Sequence, residues 1–160
     1  MSLRKLLPQG EVTKETIQDL ASVFEGERLH KEHRYEQAAI KYKQALEDFP
    51  EGSGGRFMIY NKLGIVYEKL DQAEQAIATY EQGATEGSIT PFTYERLASL
   101  YLAGGHHKKA LDSCNQGLKS LKLAKVDFFQ EIYFQMILRN LRRKARRRGQ
   151  DINKKPKAAD

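Results

Sequence analysis

Apolar and small residues recur along this chain at helical spacing. Tyr60, Leu63, Gly64 and Tyr67 stand at i, i+3, i+4 and i+7, and Tyr94, Leu97, Ala98 and Tyr101 repeat the pattern. The two sets are 34 residues apart, and the offset persists beyond them, with Ala76 matched by Ala110, Ile77 by Leu111 and Gly83 by Gly117. An earlier set, Gly26, Leu29, Ala38, Tyr42, Ala45, Leu46 and Pro50, leads the middle one by 38 residues. The four extra positions fall in Glu51-Gly52-Ser53-Gly54-Gly55, turn formers among which an insertion costs little. Each copy predicts two amphipathic helices, and the third opens on Thr90-Pro91, a good N-cap followed by proline at the first helical position. Helical spacing then continues through Phe128, Phe129, Ile132, Tyr133, Met136, Ile137 and Leu141, which predicts a longer last helix over 126–148 whose aromatic stripe caps the third copy. Such units cannot bury their apolar faces alone, so three stacked copies and a cap form a plausible minimum for stability.

Composition agrees with seven helices and an all-α fold. Of the 160 residues, 84 are Ala, Glu, Lys, Leu, Arg or Gln, against 19 Val, Ile or Thr. No run approaches the ~18 apolar residues needed to span a bilayer, and the N-terminal stretch lacks the apolar core of a secretory signal. The single cysteine, Cys114, excludes an intramolecular disulfide. A cytoplasmic location is the expectation. Charge is divided unevenly: residues 1–138 carry 17 Lys and Arg against 19 Asp and Glu, whereas residues 139–160 carry 10 against 2.

The repeated positions resemble the tetratricopeptide repeat (TPR) family, whose 34-residue unit is a helix-turn-helix. The second copy supplies Tyr60, Leu63, Gly64, Tyr67, Ala76 and Tyr80, and the third supplies Tyr94, Leu97, Ala98, Tyr101 and Ala110. The first supplies Gly26, Ala38, Tyr42, Ala45 and Pro50, with Ser22 and Glu25 where the family usually has Trp and Leu. Ser88 and Lys122 replace the terminal proline of copies two and three, and Cys114 takes the second-helix aromatic position. The resemblance, covering roughly residues 19–122, implies an α-solenoid wound as a right-handed superhelix. The expected organisation is an extension over 1–13, three repeats within 14–123 (about 19–52, 57–90 and 91–123), a capping helix over 124–148 and a basic flexible tail over 149–160.

Motifs for catalysis are missing: there is no GxxxxGK[ST], HExxH, GxSxG or GxGxxG. Cys114 aligns with core position Tyr80 and reads as a buried structural thiol. His106-His107, in the turn after Gly104-Gly105, and His30 with His33, near a helix end, each lack a further ligand and read as surface residues. No enzymatic activity, metal or cofactor is expected.

The resemblance implies instead a concave surface, lined by the first helix of each repeat, that binds an extended peptide or partner segment. The groove positions fall on Val23, Phe24, Glu27 and His30 in copy one, on Asn61, Lys62, Ile65 and Glu68 in copy two, and on Phe92, Glu95, Arg96, Ser99 and Leu102 in copy three. Lys62 and Arg96, one repeat apart, suit a carboxylate on an acidic partner, with the Arg fork bonding bidentately and the Lys acting as a point charge. The bland alternative pairs them with Glu27, Glu68 or Glu95. One subgroup of the family clamps the acidic tails of chaperones with two Lys, two Asn and an Arg. Only Arg96 matches here, the other positions holding Val23, Glu27, Lys62 and Phe92, so chaperone tails are not expected to bind by that clamp.

The C-terminal charge, including Arg142, Arg143, Lys144, Arg146, Arg147 and Arg148, exceeds what helix-dipole stabilisation over the last turn explains. It admits three readings: a phosphate-backbone contact that would make the protein a nucleic-acid-associated adaptor, an anionic membrane surface, or a solubilising partner for the acidic body. No base-reading motif accompanies it. Oligomeric state and partner identity stay open.

Overall fold

In the computed structural model, which describes residues 14–51, 55–86, 90–124 and 126–154, seven helices follow the periodicity. They are α1 (Lys14–Lys31), α2 (Tyr35–Asp48), α3 (Arg56–Lys69), α4 (Ala73–Thr85), α5 (Pro91–Ala103), α6 (His107–Leu123) and α7 (Phe128–Lys154). Pairing is sequential, α1 with α2, α3 with α4 and α5 with α6, as the helix-turn-helix reading requires. The helices group into two compact units, α1–α4 and α5–α7.

Three tight turns reverse the chain within the pairs, each through one residue in left-handed backbone: His33 (φ 60°), Asp71 (φ 56°) and Gly105 (φ 76°). The following amide closes the same ring each time, from Arg34 N to Leu29 O (2.9 Å), Gln72 N to Tyr67 O (2.9 Å) and His106 N to Tyr101 O (2.8 Å). This is the Schellman closure, which satisfies carbonyls that the helix end would otherwise leave unpaired. At the start of α5, Thr90 is extended at the N-cap position with Pro91 inside the helix, but its hydroxyl meets that of Thr93 at 3.1 Å rather than capping a backbone amide.

In the first unit a large core residue on each second helix is received by a glycine on the first. A Cβ at Gly26 would lie 2.7 Å from Tyr42 Cε1, and one at Gly64 would lie 2.5 Å from Tyr80 Cε1. Both tyrosines are wholly buried. The second unit reverses the balance at the equivalent positions, Ala98 and Cys114, both also wholly buried. Arg56, at the start of α3, ties three helices of the first unit together. Its Nε donates to both carboxylate oxygens of Glu86 (3.0 and 2.9 Å), and its Nη1 donates to the carbonyls of Phe49 (2.6 Å) and Leu46.

The last helix departs from expectation twice. It continues to Lys154, past the expected end at 148, while the rest of the tail, like the N-terminal extension over 1–13, lies outside the described residues. Its packing face is also different. Leu138 and Ala145 are the buried residues, flanked by half-buried Phe134 and Leu141, and the Leu138 methyls seat where a Cβ on Gly117 of α6 would come within 3.0 Å. Phe128, Phe129, Ile132, Tyr133 and Met136, expected to form the cap, face solvent at 70, 80, 49, 53 and 64% exposure. The helix carries two apolar stripes, and the slot beside Gly117 admits the aliphatic one.

Candidate functional site

Within the first unit, the expected residues of α1 and α3 are at least partly accessible. Val23, Glu27 and His30 of α1 and Asn61, Lys62, Ile65 and Glu68 of α3 are all half-buried, and Phe24 is 43% exposed. An ion pair crosses between the helices: Lys62 Nζ lies 2.6 Å from Glu27 Oε1, with each side chain about one-third exposed at 32 and 35%. Of the pairings open to Lys62, this is the one formed. Glu68 accepts a hydrogen bond from the Tyr80 hydroxyl at 2.7 Å, which ties the face to the core tyrosine behind it. His30 is held below its ordinary pKa, first by burial and then by the charges of Lys62 and Lys69, so it is neutral at pH 7. The Tyr42 hydroxyl is buried with no hydrogen-bond partner among the described residues; burial, reinforced by Glu27, pushes its pKa up.

In the second unit, α5 carries Phe92, Glu95, Arg96 and Ser99, all half-buried, and Ser99 Oγ donates to Glu95 Oε1 at 3.2 Å. Leu102 is not a surface residue. At 6% exposure it belongs to the core, because it lies on the helix face that packs rather than the one that is presented.

No protein-family model and no curated protein sequence matches the chain. Solved structures do. The Sgt2 TPR domain from Aspergillus fumigatus superposes with a TM-score of 0.65 at 17% identity, over 89% of this chain and 87% of that one. The type III secretion chaperone SycD of Yersinia enterocolitica, in complex with a peptide of the translocator YopD, gives 0.63 at 18%, over 84% and 98%. The second TPR domain of human RPAP3, in complex with the HSP70 peptide SGPTIEEVD, gives 0.60 at 16%, over 78% and 98%. The chain has the tetratricopeptide-repeat fold. At these identities the likeness is one of architecture.

On that TPR frame the remaining candidates for chemistry take structural places. Cys114 is wholly buried in α6 and burial pushes its thiol up to about 11, so it is protonated at neutral pH and a poor nucleophile. His106 is exposed and sets its ring edge-on to Tyr101 at 6.2 Å, while His107 is half-buried. His33 shares a 2.7 Å hydrogen bond with the Tyr35 hydroxyl, and His30 lies 5.8 Å from the same ring. Among the described residues no three His, Cys, Asp or Glu side chains converge as metal ligands, and no helix is long and apolar enough to cross a membrane. Of the basic residues on α7, Arg143, Lys144, Arg146, Arg147 and Arg148 are exposed and Arg142 is half-buried. Sequence reasoning missed the outward apolar face of α7. Its signal was the 3-4-3-4-3 spacing of Phe129, Ile132, Met136, Arg139, Arg143 and Arg146, which differs from the stripe that packs.

Proposed function

We propose that the protein is a non-catalytic interaction module that binds an extended peptide or partner segment on the first helices of its repeats. The Glu27–Lys62 pair carries this reading. A pair one-third exposed adds little to stability, ~0–1 kcal/mol, so the fold does not require it, and the same two helices also carry exposed Phe24 and half-buried Ile65, Asn61 and His30. That mixture of apolar contact, amide and charge suits a peptide, whose side chains need pockets and whose backbone needs hydrogen bonds. An incoming carboxylate would displace Glu27 from Lys62, and an Asn61 amide supplies both donor and acceptor to a peptide backbone. The peptide complexes of SycD and RPAP3 support this use of the fold.

Fluorescence anisotropy with a panel of labelled acidic and neutral peptides tests it. Lys62→Glu is expected to weaken the acidic ligands at least ~10-fold, a loss typical of a charge-assisted contact, with circular dichroism unchanged. An unaltered affinity would place binding elsewhere. The peptide SGPTIEEVD is expected not to bind tightly, because Val23, Glu27, Lys62 and Phe92 occupy four of the five clamp positions. Tight binding that is lost on amidating its C-terminus would overturn that expectation.

A further inference from the structure

The outward face of α7 is a continuous stripe with two halves. Phe129, Ile132 and Met136 are 80, 49 and 64% exposed, and Arg139, Arg143 and Arg146 follow on the same line, all exposed. The spacing alternates three and four residues throughout, the 3.5-residue period of a seam that a second helix can follow without drifting off. The stripe runs for about 26 Å, nearly five turns. At its centre lies an open depression lined by Ile132, Gln135, Met136, Arg139, Asn140 and Arg143, so that the two halves meet at one surface feature. Among the described residues none of Arg139, Arg143 and Arg146 makes an ion pair, although Arg28, Arg34 and Arg56 all do. This is more cation and more exposed aromatic surface than folding explains, since the helix packs through Leu138 and Ala145.

We propose that this face of α7 docks an amphipathic helix of another protein, apolar over one half of its contact stripe and rich in Glu and Asp over the other. Charge and pattern select this occupant. A second copy of the chain in parallel would set each arginine against its own counterpart, and an antiparallel copy would lay each apolar half on the other's arginines. A lipid surface would suit apolar and basic residues on opposite faces or at the margins of one face. Here they share a single stripe, so a helix lying in the interface would bury the arginines with the aromatics. A nucleic acid would neutralise the arginines and leave Phe129, Ile132 and Met136 in water. A helix with matched halves satisfies both: it buries the apolar half against like residues and gives each arginine a planar carboxylate partner.

The test uses the full chain and labelled synthetic helices of about 21 residues, with Leu at the seam positions of one half and Glu at those of the other, made in both chain directions. One direction is expected to bind with a Kd in the micromolar range. The triple variant Arg139→Glu, Arg143→Glu, Arg146→Glu should weaken it at least ~10-fold and be rescued by a helix carrying Lys in place of Glu. The double variant Ile132→Asp, Met136→Asp should weaken it by a similar factor, with native helicity retained because these side chains are exposed. Lys62→Glu should leave binding unchanged, which separates this surface from the α1–α3 face. Failure of both helix directions, or binding indifferent to the double Asp variant, overturns the proposal. So does tighter, arginine-dependent binding of a duplex of about 20 base pairs or of phosphatidylcholine vesicles with about 30% phosphatidylserine. A concentration-dependent dimer abolished by the double Asp variant would assign the face to self-association instead.

Discussion

Gly64 and Tyr80 show how much one methyl group decides. The Tyr80 ring is wholly buried and lies where any side chain at position 64 would begin, 2.5 Å from that Cβ. Gly64→Ala is therefore expected to lower stability by ~1–3 kcal/mol through overpacking, measured by urea denaturation. Adding Tyr80→Cys, which copies the Ala98 and Cys114 combination of the second unit, should cost less than the two single changes together, since the clash is relieved where the cavity opens. His30 gives a pH dependence. Its folded pKa is held below the ordinary 6.5 by burial and then by Lys62, Lys69 and His33, with Glu27 opposing. The unfolded chain takes up the proton first as pH falls, so the contribution is fully present above about 6.5 and declines below it. Urea midpoints at about pH 7.5 and 5 should differ less in His30→Gln than in the wild type.

Among the helices, Arg56 is the joint on which α2, α3 and α4 depend. It is 8% exposed and satisfies Glu86 and the carbonyls of Leu46 and Phe49. Arg56→Ala leaves a partly buried carboxylate and two carbonyls without this donor, and is expected to cost ~2–4 kcal/mol. Hydrogen exchange should show the loss concentrated in α2–α4, with Glu86→Gln retaining part of the stability. The helix pairing was legible in the sequence because each first helix alternates large and small residues at fixed spacing. Arg56 was not, since its partners lie 7, 10 and 30 residues away and no local pattern announces them.

For the molecule as a whole, α7 is both part of a core and a surface, and the two roles separate by face. Leu138 is wholly buried against Gly117, so Leu138→Ala is expected to destabilise the α5–α7 unit by ~2–5 kcal/mol, read by hydrogen exchange in α5 and α6. Deleting residues 139–160 would remove half-buried Leu141 and buried Ala145 together with the arginines. Charge reversal in the full chain is therefore the sound way to ask what the basic segment does.

The all-α class, the seven helices and the 34- and 38-residue offsets were determined by the sequence itself, because helical periodicity is a local property that survives without knowledge of neighbours. Lys62 could have paired with any of several carboxylates on paper; the approach of α1 to α3 decided for Glu27. Leu102 moved from surface to core for the same kind of reason, and the cap changed from the aromatic stripe to Leu138 and Ala145 because only the tertiary slot beside Gly117 distinguishes two apolar faces of one helix. Periodicity states that a face is apolar; the shape of what it meets determines whether that face is buried or left for a partner.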